Sequence, residues 1–239
     1  MKFKLARQIL SKDLHEIIER EVKRQKFVVL RPTKKNLTEL AEVSGTIQKQ
    51  GFVKHLVRKK LSHNLGHGIF LHKEAQPVAK GQMIAPYAGA VSLVPQYGGD
   101  NSAYVFDLLS EILLTKEEQA LFDKERNYHP RRRYSLILDA YKQGNFTRYI
   151  NHSSHPNIIA RYFKIPTNSL GLEPAPLEII YMAKKTILPG EQLLVSYEDE
   201  EESYWGPLKI KPFPMTPQTF QLDASLKLIS TSDSIAFSI

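Results

Sequence analysis

A dense run of hydrogen-bonding side chains, Arg148-Tyr149-Ile150-Asn151-His152-Ser153-Ser154-His155-Pro156-Asn157, comes shortly after the apolar stretch LILDAY at 136–141. Polar groups carried inward by a strand must find partners, either one another or a polar ligand. Two familiar chemistries do not fit this run. His152 and His155 lack the i, i+4 spacing and the glutamate of a helical zinc protease site. A serine nucleophile would want a Gly-x-Ser-x-Gly elbow, which the sequence does not contain. Asn151-His152-Ser153 and Asn145-Phe146-Thr147 match the glycosylation sequon, a three-residue pattern that recurs by chance.

Two further segments carry chemical potential. Gly66-His67-Gly68 sets two glycines around one residue just before a β-type run, where glycine allows positive φ and close approach of backbone to a ligand. It is not a dinucleotide fingerprint, because the third glycine is missing and a strand follows. Pro189-Gly190-Glu191-Gln192-Leu193-Leu194-Val195-Ser196-Tyr197 reads as a turn into a strand ending on a tyrosine, and the acidic run 198–202 comes next. Taken alone, the tyrosine is equally an interfacial aromatic, the acidic run a solvated loop and the two glycines a plain tight turn.

The elements that must hold these groups are mostly short strands. From Gly66 onward the apolar runs GIFLHK, QMIAPYAGAV, SAYVFDL, YSLILDAY, EIIYMAKK and EQLLVSY are punctuated by Gly and Pro. Strands at this spacing without long intervening helices argue against a doubly wound α/β sheet, so the fold class is mostly β with α insertions. Leu14, Ile17, Ile18 and Val22 recur at helical spacing over 13–26, with Asp13 as a candidate cap. Residues 109–133 read as a helical insertion, with Thr115 and Glu118 forming a capping box ahead of Leu121 and Phe122. The domain reading is a basic, partly helical extension over 1–50, a main domain over 51–206, and a Pro-, Ser- and Thr-rich tail over 207–239.

Of the 239 residues, none is cysteine, which excludes disulfides, Cys-ligated zinc, iron–sulfur clusters and thiol nucleophiles. The net charge of +8 is uneven: residues 1–60 carry 16 Lys/Arg against 6 Asp/Glu, and residues 61–206 carry 14 against 17. A basic arm fits an anionic partner such as nucleic acid or an acidic surface, and equally a solubilising extension. No apolar run is long enough for a membrane helix, and the first residues lack the apolar core of a Sec-type signal, so no membrane is expected. A bacterial cytoplasm and delivery to a host nucleus both stay open.

Taken in order, these segments resemble the SET domain of protein-lysine methyltransferases, from about Leu61 to Gly206. The matching parts are Gly66-His67-Gly68, Tyr87-Ala88-Gly89, Tyr104-Val105-Phe106-Asp107-Leu108, Asp139-Ala140, Gly144-Asn145, the string Arg148 to Ser153 with Pro156-Asn157, and Gly190-Glu191 leading to Tyr197. The chain is similar to the small stand-alone bacterial members, especially those of chlamydiae. It departs from the pattern at Ala90, where the family usually has Glu, and at Ser154, where many members have Cys; a cysteine-rich closing segment is missing. Tyr204, Trp205 and the tail are the candidates to cover the site instead.

The resemblance implies a fold of small β-sheets with a threaded, pseudoknot-like C-terminal strand. It implies S-adenosylmethionine as cofactor, a basic protein such as a histone or histone-like protein as substrate, and no metal. Gly66, His67, Gly68, Tyr104, Arg148, Asn151 and His152 would bind the cofactor, with Trp205 stacking on its adenine. Tyr197 and Tyr87 would be the catalytic pair, and Phe106 and Val195 would line the lysine channel. Val195 stands where the family often carries Phe or Tyr, so more than one methyl group is expected to fit. The alternatives are an inactive SET-fold interaction module and a nucleic-acid-associated protein using its basic arm. The stretches at 13–26 and 109–133 could each pair across a two-fold axis into a homodimer or fold back on the core.

Overall fold

In the computed structural model the described residues are 4–61, 66–96, 104–123, 128–167 and 170–197. Two helices come first. Helix α1 (Lys12–Arg24) turns Leu14, Ile17 and Ile18 onto the core and keeps its basic face outward. Its N-cap is Ser11, so Asp13 lies inside the first turn, where its charge favours the helix dipole, rather than at the cap position. Helix α2 (Lys34–Gln50) has no counterpart in the sequence reading. It is bounded by a Thr33–Asn36 capping box and by Gly51 at φ 77°, a left-handed stop that glycine adopts without strain. Its core-facing residues are few and include Ser44, which is why its apolar stripe is faint in the sequence.

The strands follow as β1 (Leu56–Lys60), β2 (His67–Leu71), β3 (Met83–Pro86), β4 (Ala90–Pro95) and β5 (Val105–Leu113). Next come α3 (Lys116–Phe122), β6 (Arg133–Asp139), a 3-10 turn η1 (Phe146–Tyr149), β7 (Asn151–His152), β8 (Ile158–Ile165), β9 (Ala175–Ala183) and β10 (Leu194–Val195). They pair as four small sheets: β1-β2, β10-β7, β3-β9-β8 and β4-β6-β5. Residues 109–113, expected within the helical insertion, instead continue β5. The helix is confined to Lys116–Phe122, with the expected Thr115–Glu118 capping box in place. Two register shifts in β5 hide its alternation from a sequence reading.

Strand β9 is the centre of the molecule, with nine consecutive buried residues and a neighbour on each edge. Such a strand reads as a continuous apolar run because both its faces are covered. The one charge in it, Glu178, is fully buried and is held by Arg7 through a forked ion pair, with Nε 2.8 Å and Nη2 2.5 Å from the carboxylate. The basic N-terminal quarter is therefore tied into the fold at several points. Arg20 and Arg24 pair with the buried Glu21 at 3.1 and 2.6 Å, and Glu19 receives Lys164 at 2.6 Å.

Candidate active site

Placement of the C-terminal strand governs everything else. At Gly190, φ 87°, the chain turns and lies along β2, with Leu71 N–H donating to Glu191 O at 2.9 Å and Leu193 N–H to Ile69 O at 2.8 Å. It then swings across as β10, where Leu194 and Val195 pair in parallel with Asn151 and His152. Asn157 holds this crossing. Its side-chain amide donates to Gln192 O at 2.8 Å, and its Oδ1 accepts from Leu194 N–H at 2.8 Å. The Asn157 backbone N–H donates to Leu194 O at 3.1 Å. The segment 190–195 thus has β2 on one side and the 151–157 run on the other.

The crossing delivers Tyr197 to the polar run. Its backbone N–H donates to His152 Nδ1 at 3.0 Å, and its hydroxyl donates to Ile150 O at 2.7 Å. A ring nitrogen that accepts carries no proton, so the hydrogen-bond network assigns His152 as the neutral Nε2–H tautomer. The two rings lie 5.5 Å apart, and Tyr197 remains 40% exposed.

Beside them lies the glycine turn. The Asn151 side-chain amide donates to His67 O at 2.9 Å, which pins the first residue of β2 to the start of β7. Gly66 has φ 72°, and a Cβ there would meet nothing within 4 Å among the described residues. A Cβ at Gly68 would fall 2.6 Å from Gln192 Nε2, so glycine is what lets the turn sit against the buried Gln192. Burial lowers the His67 pKa, and the neighbouring Arg58 and Lys60 lower it further.

A third group lines the other side. The Arg148 guanidinium lies 3.8 Å from the centre of the Tyr104 ring and donates to Tyr141 O at 2.8 Å. The Tyr87 hydroxyl donates to Tyr104 O at 3.0 Å, and its ring lies 5.8 Å from both Phe106 and Tyr181. Burial pushes the Tyr87 phenol far above its usual range, with the neighbouring Tyr197 phenol adding to the effect. Tyr181 is raised in the same way. The Tyr87 segment is itself held from below, by Tyr87 N–H on Ile179 O at 3.0 Å and by the Asn145 amide on Pro86 O at 2.9 Å.

The structure therefore brings Gly66, His67, Gly68, Asn151, His152, Val195 and Tyr197 together, with Tyr87, Phe106, Tyr104 and Arg148 alongside. Val195 is buried in β10 against His152. Trp205, the acidic run 198–202 and the tail lie outside the described residues. Tyr181, Gln192 and the clamp role of Asn157 were missed by sequence reasoning. Tyr181 is one more apolar-type residue within a strand, and nothing local marks it out. Asn157, by contrast, had a usable signal as the last polar residue before a strand. Among the described residues no cluster of three or more His, Cys, Asp or Glu could hold a metal ion.

A family model described as SET domain matches residues 21–198. Among curated proteins, the chain is 29% identical over 137 residues to the H3 lysine-9 specific histone-lysine N-methyltransferase SUVH1 of Nicotiana tabacum, covering 56% of this chain and 17% of that protein. It is 37% identical over 68 residues to an H3 lysine-4 specific histone-lysine N-methyltransferase of Schizosaccharomyces pombe, covering 28% of this chain and 6% of that one. The chain spans less than a fifth of the length of either relative. The solved structure of ATXR5 in complex with a mono-methylated histone H3.1 covers 83% of this chain and 82% of its own, with TM-score 0.54 at 17% identity, a likeness of fold. With three-quarters of its length matched by the SET domain model, the chain belongs to the SET domain family.

Proposed function

We propose that this chain is an S-adenosylmethionine-dependent protein-lysine N-methyltransferase acting on a basic protein, histone or histone-like. The observation that carries the reading is the seating of Tyr197: its N–H on His152 Nδ1 and its hydroxyl on Ile150 O, beside the Asn151–His67 link. The donor set fits the cofactor. The Gly66 turn beside the Asn151–His67 link suits its amino-acid end, and the Arg148 guanidinium suits its carboxylate. Bound there, the cofactor supplies a methyl group on a sulfonium.

The chain's own residues would supply the remaining requirements. A lysine amine has a pKa of about 10.4 in water and must shed its proton to act as a nucleophile. Tyr87 and Tyr181 give a wall that is polar yet uncharged, and burial pushes both phenols further above their usual range. Desolvation beside neutral hydroxyls favours the neutral amine. The donation of the Tyr197 hydroxyl to Ile150 O fixes the direction from which its oxygen would meet the amine and the transferring methyl through weak C–H contacts. Val195, smaller than an aromatic at the same place, leaves room for more than one methyl group.

Histones as substrates are supported by the relatives' activities and by the charge of the 61–206 region, which is slightly acidic and attracts basic segments. The test is transfer of labelled methyl from S-adenosylmethionine to core histones, with product lysines mapped by mass spectrometry. Tyr197→Phe should lower kcat about a hundredfold, roughly 2.7 kcal/mol of transition-state stabilisation, while donor affinity measured by calorimetry changes little. No donor affinity in the wild type would overturn the reading; donor binding without transfer to any protein in a mixed lysate would favour the interaction module. Exhaustive turnover ending only in monomethyl-lysine would refute the role given to Val195.

A further inference from the structure

The segment before α1 lies outside residues 21–198, the part that matches the SET family, yet it touches three stretches that build the site. Leu5 N–H donates to Gly144 O at 3.1 Å, next to Asn145, whose side chain holds Pro86 O. Ile9 N–H donates to Gly89 O, and Val91 N–H returns to Ile9 O, both at 2.8 Å. Ile9 thereby bridges Ala90 in parallel, at the very position where this chain departs from the family's glutamate. Between these two anchors, Arg7 forks onto Glu178 and sends Nη1 to Glu173 O at 2.7 Å, and the Gln8 amide donates to Leu177 O at 2.8 Å.

We propose that residues 4–9 form a strap that positions the Tyr87–Ala90 wall of the lysine channel, with Arg7 as its positioning residue. The geometry explains why one side chain has such leverage. Glu178 is fully buried next to Ile179, whose carbonyl receives the Tyr87 N–H. A buried carboxylate must be neutralised or hydrogen-bonded where it lies, so it fixes the guanidinium, and the guanidinium fixes the strap. Ile9 then gives a backbone partner to the edge of β4 that faces away from β6. The Gly89 backbone, which is in turn packed so closely on Asp139 O that a Cβ would come within 2.5 Å, cannot drift without the strap following. Arg7 touches none of the residues assigned to the cofactor, so its effect should fall on the lysine side. The kinetic part of this inference rests on the methyltransferase reading; the positioning part does not.

The test compares the full chain with Arg7→Met, Arg7→Lys and Glu178→Gln by amide hydrogen exchange, by calorimetry with S-adenosylmethionine and by steady-state kinetics on histone. In Arg7→Met the Tyr87 and Val91 amides should exchange at least tenfold faster, while the Leu194 and Asn157 amides at the C-terminal crossing keep wild-type rates. Global destabilisation would instead accelerate all four together. Donor affinity should stay within threefold, and kcat for the lysine substrate should fall at least tenfold, with Arg7→Lys recovering part of it. If Arg7→Met does not fold, Arg7→Lys and Glu178→Gln carry the same comparison in milder form. Uniform acceleration at all four amides, or no acceleration at Tyr87 and Val91, overturns the strap. Should the wild type turn over no lysine substrate, the exchange pattern still decides the strap, and only the methyltransferase reading fails.

Discussion

Replacing Asn157 with alanine should uncouple the C-terminal strand from the rest of the site, and the cost can be worked from its contacts. The side chain is completely buried and makes two hydrogen bonds, to Gln192 O and from Leu194 N–H, both at 2.8 Å. Gln192 and Leu194 are themselves fully buried, so alanine would leave a carbonyl and an N–H without those partners in a place water does not reach. Each such group costs about 1–3 kcal/mol, so Asn157→Ala should lose about 2–6 kcal/mol in all. With a urea slope of about 2 kcal/mol per molar for a domain of this size, the unfolding midpoint should fall by about 1–3 M. Ser154→Ala, three residues earlier in the same polar run, removes only an exposed contact to His155 and should stay within about 0.5 kcal/mol. Urea titration followed by circular dichroism measures both. Because Leu194 and Val195 pair with Asn151 and His152, the pair assigned to the donor, the same variant should lose most of its affinity for S-adenosylmethionine. A midpoint that drops by less than about 0.5 M at unchanged slope would refute the idea that Asn157 holds the crossing.

The other expectations concern the turn and pH. Gly68→Ala would drive a Cβ onto the Gln192 side chain, so Gln192 must swing away and the turn must shift. Calorimetry should show donor affinity reduced at least tenfold, whereas Gly45→Ala, where a Cβ meets nothing and the site is α2, should bind normally and melt slightly higher. His55 and His67 both have folded pKa values lowered by burial. A lowered histidine contributes stability that is present above its unfolded pKa of about 6.5 and is lost as pH falls through the folded value. Urea midpoints should therefore decline from pH 7.5 to pH 5, and the decline should flatten in His55→Gln; an identical slope in that variant would remove His55 as a cause.

How much of this was legible before folding differs from residue to residue. The order of Gly66-His67-Gly68, the Arg148 to Ser153 string and the approach to Tyr197 marked the family, because turns and polar runs need particular residue types at fixed offsets. The strands β2, β3, β6, β9 and β10 were visible through local alternation or apolar runs. Helix α2 was not, because its buried stripe is thin and interrupted by Ser44. The end of β5 was misassigned because two register shifts break its period.

The amino-acid order by itself determined which groups are available: tyrosines, an Asn-His pair, flexible glycines and no thiol chemistry. Only the tertiary structure decided that Tyr197 rests on Ile150 O, that Asn157 clamps the strand between two others, and that Arg7 reaches 171 positions along the chain to Glu178. The reason is physical. Local patterns are set by interactions within a turn or a pleat, while these contacts join segments far apart in sequence, and their value comes from burial that exists only once the sheets have closed around them.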